Sequence, residues 1–364
     1  MTPTRGGGYC ALVVLSPGPR RQAVALAFCG LWLLAGTAWA LDPHRHVTQF
    51  AHSAWRTHDG FVTRPTAVTQ TADGYIWIGT IDGLIRFDGV KFSPWSPPPG
   101  ESLPTAGVSR VLGARDGTLW IGTSAGLSRL KDGHLFNYTT TARSPGIYDI
   151  VEDRAGTIWV TRYFVNDGLG PLCRVDGERL ICYGKNDGLV PANASGLAAQ
   201  ADGTLWFACQ MVCRFAAGAS TSYFDEQLTD PAGGVGAIDI AAEPSGSVWA
   251  SFGGVGPRLG VQHYADGKWT SFVVPGFDGS TVRSRTLLVD RQRTLWVGTQ
   301  SKGLYHVDDG HADYYERSNG LSGNVIFRCT RITKAMSGSS PAAASTCFTT
   351  HRSSRFPRPK GSAT

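Results

Sequence analysis

DGYIWIGTIDGLIRFDG (73–89) and DGTLWIGTSAGLSRLKDG (116–133) are two copies of one phrase that recurs along this chain. Four shorter versions follow: AGTIWVTRY (155–163), DGTLWFACQMVCRF (202–215), SGSVWASFGG (245–254) and RTLWVGTQSKGLYHVDDG (293–310). Each copy has a tryptophan at the same point, and these are 43, 39, 47, 43 and 47 residues apart: Trp77, Trp120, Trp159, Trp206, Trp249 and Trp296. A period of roughly 40 to 45 residues, made of short alternating strands, predicts a β-propeller with one four-stranded blade per repeat.

The second repeat shows how one blade is built. It divides into four strand-like runs: GVSRVLGA (107–114), TLWIGT (118–123), GLSRL (126–130) and HLFNY (134–138). Asp116-Gly117 lies in the first turn, where glycine supplies the backbone conformation that a tight hairpin needs. The flat side chain of each repeated tryptophan is expected to wedge between neighbouring blades, so we interpret these residues as core and not as ligand contacts.

The pattern stops inside a seventh unit. NGLSGNVIFR (319–328) has the pattern of an inner strand, and VTQFAHSAW (47–55), ahead of the first repeat, is placed to supply the outer strand of the same blade. The sequence offers no middle strands between them. We therefore expect an all-β propeller of the seven-bladed type over residues 41–328, with six complete four-stranded blades and an incomplete seventh.

Residues 329–364 differ from the rest of the chain. They contain no tryptophan and no acidic residue, and their Ser, Thr, Arg and Pro content predicts a disordered tail. Read from the third base of codon 329 with suitable synonymous codons, however, the same residues spell HEDHEGNVWVVTSGGLDMFHD, which is another copy of the repeat. We expect that the gene is frameshifted near Cys329 and that the chain is truncated there.

Residues 1–40 resemble an export signal. Arg20 and Arg21 precede an apolar run over 23–36, and Ala38-Trp39-Ala40 offers the small residues that a signal peptidase requires. We expect cleavage after Ala40 and a periplasmic or secreted mature protein. The alternative is an uncleaved segment that anchors the protein to the inner membrane.

The positive net charge of +6 comes from the two ends of the chain. Residues 1–40 and 329–364 together hold nine basic residues and no acidic ones, and the remaining chain has 25 basic and 28 acidic residues. This balance argues against a nucleic-acid partner, because such partners are bound by basic surfaces.

Two pairs of cysteines lie close together in the sequence. Cys173 and Cys182 flank the hairpin turn at 176–179 and are expected to face each other, as a disulfide in an oxidising compartment or as two free thiols. Cys209 and Cys213 would pair across a tighter turn. The Cys-x3-Cys spacing has no Cys or His partners at ligand spacing nearby, so we predict no metal site.

No constellation of residues with a known catalytic pattern occurs in the sequence. It has no nucleophile elbow, phosphate-binding glycine loop, zinc-protease motif or kinase signature. We therefore predict no catalytic residues, no cofactor and no enzymatic activity for this chain.

The repeat resembles that of a known family. WIGT followed by GL and RFDG, with an acidic-polar-glycine turn before it, is similar to the two-component regulator propeller repeat, and the similarity runs from about residue 48 to about residue 328. The resemblance implies the periplasmic sensor region of a hybrid histidine kinase or related receptor. Intact receptors of this kind continue into a membrane helix and a kinase or cyclase module, so the resemblance implies membrane contact through that missing part and leaves a homodimer of the intact receptor open.

Irregular insertions on one face of the propeller are the predicted ligand site. In a four-stranded blade the loop from the second to the third strand lies on the same face as the crossover to the next blade, and specificity usually resides in such loops. The insertions of blades 3 and 5 offer stacking and hydrogen-bonding groups for a sugar-like or anionic ligand: Arg162, Tyr163, Phe164, Asn166, Asp167 and Arg258. The alternative is that these are simply longer surface loops.

The sequence therefore predicts a sensor propeller that binds a small molecule or glycan and lacks its output module. The alternative functions are a freestanding exported propeller that binds carbohydrate, and a propeller lyase. The fold by itself does not separate these functions.

Overall fold

The computed structural model describes residues 9–15, 51–55, 63–138, 144–163, 165, 167–189, 194–209, 211–216, 219–223, 236–290, 292–308, 310–319, 321, 323–332 and 344–350. Regular structure in these residues is nearly all strand, and the helices among them are three 3-10 turns: Lys185–Asp187, Gly279–Thr281 and Arg317–Asn319. Within the same residues, no helix has the length and apolar character needed to cross a membrane. The all-β prediction is confirmed.

Six four-stranded antiparallel sheets follow the six tryptophan repeats, with their strands hydrogen-bonded in chain order. Two strands, β1 (Tyr9–Leu15) and β2 (Ala51–Trp55), precede the first repeat. Blades 1 to 3 consist of β3 (Pro65–Gln70), β4 (Ile76–Thr80), β5 (Gly83–Phe87), β6 (Phe92–Trp95), β7 (Val108–Gly113), β8 (Leu119–Thr123), β9 (Gly126–Lys131), β10 (His134–Tyr138), β11 (Gly146–Glu152), β12 (Ile158–Tyr163), β13 (Leu172–Asp176) and β14 (Arg179–Tyr183).

Blades 4 to 6 repeat this arrangement. They consist of β15 (Leu197–Ala199), β16 (Leu205–Cys209), β17 (Met211–Ala216), β18 (Ala219–Tyr223), β19 (Ala237–Ala242), β20 (Val248–Phe252), β21 (Val261–Ala265), β22 (Lys268–Ser271), a small hairpin of β23 (Val273–Val274) and β24 (Phe277–Asp278), β25 (Ser284–Val289), β26 (Leu295–Thr299), β27 (Leu304–Asp308) and β28 (His311–Tyr315). The first strands of successive blades contact one another around a ring, so each is the inner strand of its blade. The six predicted complete blades are confirmed.

A seventh sheet is assembled from both ends of the chain, in the order β2, β1, β30 (Ala344–Thr350) and β29 (Val325–Ile332). As predicted, β29 is the inner strand and β2 the outer one, and β29 contacts β3 to close the ring. The middle strands differ from the prediction, because β30 lies in the expected disordered tail and β1 in the expected signal peptide. Both segments are rich in residues that favour strands, and the open edge of β29 has backbone groups that need partners.

The repeated tryptophans form the contacts between blades, as their sequence pattern predicts. Trp206 of blade 4 is 2% exposed and packs in one cluster with Val248, Ala250 and Trp269 of blade 5. Trp159 is less deeply buried, but its ring also reaches the next blade, where its centroid lies 5.8 Å from that of Phe215. Such rings bury large apolar areas, so they hold one blade against the next.

The indole nitrogen of the tryptophan has a recurring partner six residues earlier in the chain. In five of the six repeats this residue accepts a hydrogen bond from Nε1, at 2.5 to 3.0 Å: Thr71, Asp153, Gln200, Glu243 and Asp290. The equivalent residue in blade 2 is Ala114, which has no side-chain acceptor, and Nε1 of Trp120 is buried without a hydrogen-bond partner. A buried donor without an acceptor lowers stability.

Restoring the missing acceptor is expected to stabilise the fold. Ala114 is buried, but it borders a cleft between blades 2 and 3. We expect Ala114→Thr, which copies Thr71 of blade 1, to raise the free energy of unfolding by about 1 kcal/mol in urea denaturation. Ala114→Val has nearly the same shape but no acceptor, and an equal gain from both variants would contradict the hydrogen-bond explanation.

Both cysteine pairs form disulfides. Cys173 and Cys182 are directly opposed on β13 and β14, as expected, and form a disulfide, which is one of the two alternatives left open by the sequence. Cys209 bonds Cys213 across the turn between β16 and β17. Cys329 is also disulfide-bonded, which the sequence analysis did not predict. Disulfides of this kind persist in oxidising compartments and are rare in the cytosol.

Candidate functional site

The inner strands share an irregularity at the end where each one begins. In six of the seven, a β-bulge leaves one residue unpaired with the neighbouring strand: Thr66, Ser109, Tyr148, Ile238, Arg285 and Phe327. A bulge redirects side chains away from the regular alternation of a strand. All six residues line one cavity at the mouth of the central channel. The bulges therefore build this site, which we call the funnel.

The funnel has a volume of about 750 Å³ and opens on the face predicted to bind ligand. Besides the six bulged residues, it is lined by Ile147 and by six polar side chains: Arg64, Arg110, Tyr163, Asp239, Gln300 and Arg328. Tyr163 ends β12 and Gln300 follows β26, so the funnel wall includes the starts of the loops that join second and third strands. This volume is typical of pockets that hold small organic ligands.

An ion network lies at the bottom of the funnel. Arg328 extends from blade 7 to Asp149 of blade 3, at 3.1 and 3.2 Å, and to Asp239 of blade 5, at 3.2 Å. Neither blade is adjacent to blade 7, so this side chain spans the central opening. Both aspartates are 2% exposed, and their carboxylates also accept backbone N–H bonds, from Ile150 and Leu197 for Asp149 and from Leu287 for Asp239.

The two carboxyl groups have different proton affinities. Burial favours the neutral form of Asp149, but Arg328 and Arg110 outweigh it and hold the pKa of this carboxyl below its ordinary value. Burial dominates at Asp239 and, with the nearby charge of Asp149, raises its pKa against the attraction of Arg328. Burial also disfavours the charge of Arg328, but the two carboxylates more than offset this and raise its pKa.

The arginines above this network are held against aromatic rings. The guanidinium of Arg110 lies 5.0 Å from the ring centre of Tyr148, and that of Arg285 lies 4.5 Å from the ring centre of Phe327. Nε of Arg110 is 3.3 Å from Asp149 but lacks hydrogen-bond geometry, so this buried nitrogen has no acceptor. Stacking on a ring fixes a guanidinium while its edge can still donate hydrogen bonds.

The structure separates the residues that the sequence analysis grouped as a ligand site. Tyr163 lines the funnel, where its ring lies against Gly146 so closely that any Cβ at position 146 would overlap it. Arg258 is exposed in the blade 5 loop, with φ of 67°, and is not part of the funnel wall. Phe164 and Asn166 lie outside the described residues.

Arg162 and Asp167 do not fit the predicted role. Their side chains are each 1% exposed and form an ion pair at 2.7 Å, and Nε of Arg162 also donates to the carbonyl of Gly170 at 3.0 Å. The pair is buried inside the blade 3 insertion and organises its backbone, so neither side chain is available to a ligand. This corrects the prediction that both residues contact ligand.

Of the funnel residues, only Tyr163 was predicted from the sequence, although a signal for three of the charged residues at this site was present. Asp149, Asp239 and Arg110 all stand ten residues before a repeated tryptophan. Ala67, Gly196 and Thr286 occupy this position in the other repeats, so charged residues there mark polar chemistry in the channel.

Among the described residues, no three His, Cys, Asp or Glu side chains gather into a potential metal site.

Comparisons with known proteins support the fold. No family model and no curated protein sequence matches the chain. Among solved structures, the extracellular domains of two putative hybrid two component systems of B. thetaiotaomicron are similar, one with a TM-score of 0.60 and 15% identity and the other with 0.56 and 17%. Each comparison covers 79% of this chain but only 40% of the other domain.

A second type of protein shares the architecture. Virginiamycin B lyase from Staphylococcus aureus matches with a TM-score of 0.57 and 16% identity, over 78% of this chain and 94% of the lyase. The same propeller architecture thus occurs in the extracellular domains of putative two component systems and in an enzyme. The chain has the propeller fold of the extracellular domains of two-component systems, which agrees with the resemblance of its repeats.

Proposed function

We propose that this chain is the ligand-binding propeller of a two-component-type receptor and that the ligand binds in the funnel. The observation that carries the proposal is the set of bulges at the starts of six inner strands, which direct side chains from different blades to one cavity. The repeat resemblance and the extracellular domains with the same fold support the sensor role. The membrane and output modules belong to the remainder of the receptor.

The proposed location is outside the cytoplasm. The disulfides Cys173–Cys182 and Cys209–Cys213 support export to an oxidising compartment. In this proposal the propeller reaches its ligand in the periplasm or outside the cell. Cleavage after Ala40 removes β1 (Tyr9–Leu15), so blade 7 of the mature protein keeps β2, β30 and β29.

The proposal favours binding over catalysis because the funnel carboxylates already have structural roles. The side chains of Asp149 and Asp239 are each 3% exposed, and both contact Arg328 and accept backbone amides. A general acid or base needs to reach the substrate proton. The lyase alternative makes a different prediction, since a lyase would consume the bound compound.

Tyr163→Ala is the variant that tests the funnel. A thermal-shift screen of neutral and acidic mono- and disaccharides and small organic acids would find ligands, and titration calorimetry would give their affinities. We expect Tyr163→Ala to weaken binding by roughly 1 to 3 kcal/mol, as for a contact residue with a large energetic role. The fold should remain intact, since Tyr163 is only half-buried at the end of its strand.

Arg258→Ala is the matched control, because Arg258 is an exposed loop residue outside the funnel wall. Weaker binding in Arg258→Ala with unchanged binding in Tyr163→Ala would place the site on the blade 5 loop instead. Chromatography of the ligand after long incubation with the protein separates the two functions: recovery of unchanged ligand supports a sensor, and a new product supports the lyase alternative.

A further inference from the structure

The funnel has an excess of positive charge. Four arginines line it, at positions 64, 110, 285 and 328, and the nearby carboxylates are Asp239 in the wall and Asp149 directly behind it. The ion network pairs Arg328 with both carboxylates, and Arg110 contacts Asp149. Two arginines are therefore left over, and within the described part of the chain neither Arg64 nor Arg285 has a carboxylate partner.

These cations lie near one another. Burial lowers the pKa of Arg285, and although Tyr148 acts in the opposite direction, the charges of Arg110 and Arg64 lower it further. Cations that repel each other across a cavity are stabilised when an anion enters it, because the anion attracts each of them and offsets their repulsion. The stacked guanidinium of Arg285 is a donor of the type that binds carboxylate or sulfate oxygens, and Arg64 lies in the same wall.

The rest of the wall suits a ligand with hydroxyl groups. The hydroxyl of Thr66 donates to the carbonyl of Val108 at 2.6 Å, and that of Ser109 donates to the carbonyl of Ile147 at 2.7 Å. Because the hydrogen of each hydroxyl is already used, each oxygen presents its lone pairs to a ligand donor. The Gln300 amide, also in the wall, both donates and accepts hydrogen bonds.

We infer that the funnel binds an acidic saccharide, with its carboxylate or sulfate group among Arg64, Arg110 and Arg285 and its hydroxyl groups at Thr66, Ser109 and Gln300. The volume of about 750 Å³ is much larger than a bare inorganic anion needs and fits a mono- or disaccharide. This inference rests on the proposed function and adds the ligand class to it.

The test compares acidic and neutral sugars that differ in one group. Titration calorimetry on the full chain would use glucuronate, galacturonate and their disaccharides, the corresponding neutral hexoses, and inorganic sulfate as the bare anion. We expect at least one acidic sugar to bind about tenfold or more tightly than its neutral counterpart. Added salt should weaken the acidic sugar selectively, because mobile ions screen its attraction to the arginines.

Arg285→Gln isolates the charge of the funnel. We expect it to weaken binding of the acidic sugar roughly 10- to 100-fold, as when a charge-assisted hydrogen bond is lost, and to weaken binding of the neutral sugar much less. Arg285→Lys should recover part of the affinity. The control is Lys268→Gln, which removes the same charge from the exposed first residue of β22, next to the turn from β21 on the opposite face.

Each outcome separates this inference from the proposed function. Equal affinity for acidic and neutral sugars, or no effect of Arg285→Gln, would overturn the acidic ligand class. If Tyr163→Ala still weakened binding of a neutral ligand, the funnel would remain the binding site although its ligand is not acidic. Sulfate binding as tight as that of every acidic sugar would overturn the saccharide part, and the absence of any ligand that depends on Tyr163 would overturn the proposed function itself.

Discussion

Arg328→Met is expected to lower the free energy of unfolding by roughly 3 to 5 kcal/mol, the cost of leaving buried charge without its partner. Among the described residues, only Arg328 contacts both Asp149 and Asp239, and both aspartates are 2% exposed. Methionine fills similar space but leaves Asp239 without a cation and Asp149 with only the 3.3 Å contact to Arg110. Because the three charges belong to blades 3, 5 and 7, the loss affects the closure of the ring. Urea denaturation followed by tryptophan fluorescence measures it.

Two further variants test whether charge is the cause. Arg328→Lys keeps the charge but cannot bridge two carboxylates in the same way as a planar guanidinium, so we expect an intermediate loss. Adding Asp149→Asn and Asp239→Asn to Arg328→Met removes the unpaired charges and should recover much of the stability. A triple variant that is no more stable than Arg328→Met would contradict the charge explanation and indicate that packing of the Arg328 side chain is decisive.

The blade pattern could be predicted from the sequence because it depends on local, repeated chemistry. Asp-Gly turns and a tryptophan every 39 to 47 residues determine where strands begin and where neighbouring blades meet. The hairpin that opposes Cys173 and Cys182 could be predicted for the same reason, since the second cysteine is only nine positions after the first. Each of these features is decided within one repeat.

The funnel could not be predicted in this way, because it depends on contacts between distant blades. Arg328 is 179 residues from Asp149 and 89 residues from Asp239, so no local pattern joins them. The bulged residues also differ in type, from Thr66 and Ser109 to Arg285 and Phe327, since what they share is a backbone irregularity. A bulge is a backbone property that the side-chain pattern of a strand does not reveal.

Arg162 and Asp167 were predicted to contact a ligand, but the structure places them elsewhere. Charged residues in an irregular insertion suggest an exposed binding loop. Five residues apart, they instead pair with each other, and the ion pair lets the long blade 3 loop pack with buried backbone. Charge in a loop therefore predicts a polar partner, but not whether that partner is a ligand or the loop itself.

Trp206→Ala is expected to destabilise the propeller by roughly 3 to 5 kcal/mol, the usual range for truncating a large buried aromatic side chain. Trp206 is 2% exposed, and its ring centroid lies 6.3 Å from that of Trp269 in the next blade. The change opens a cavity between blades 4 and 5 and removes the indole donor from Gln200, which it meets at 3.0 Å. The free energy of unfolding in urea gives the effect.

Trp206→Phe separates the two contributions. Phenylalanine keeps most of the ring packing against blade 5 but cannot donate to Gln200, so its loss should be well below that of alanine. The same packing occurs at the other blade boundaries, and Trp249→Ala should therefore cost a similar amount, since Trp249 is 5% exposed and packs against blade 6. If Trp206→Ala unfolded at the same urea concentration as the unmodified chain, the repeated tryptophan would not be what holds neighbouring blades together. The contacts between the inner strands of neighbouring blades would then have to supply that stability.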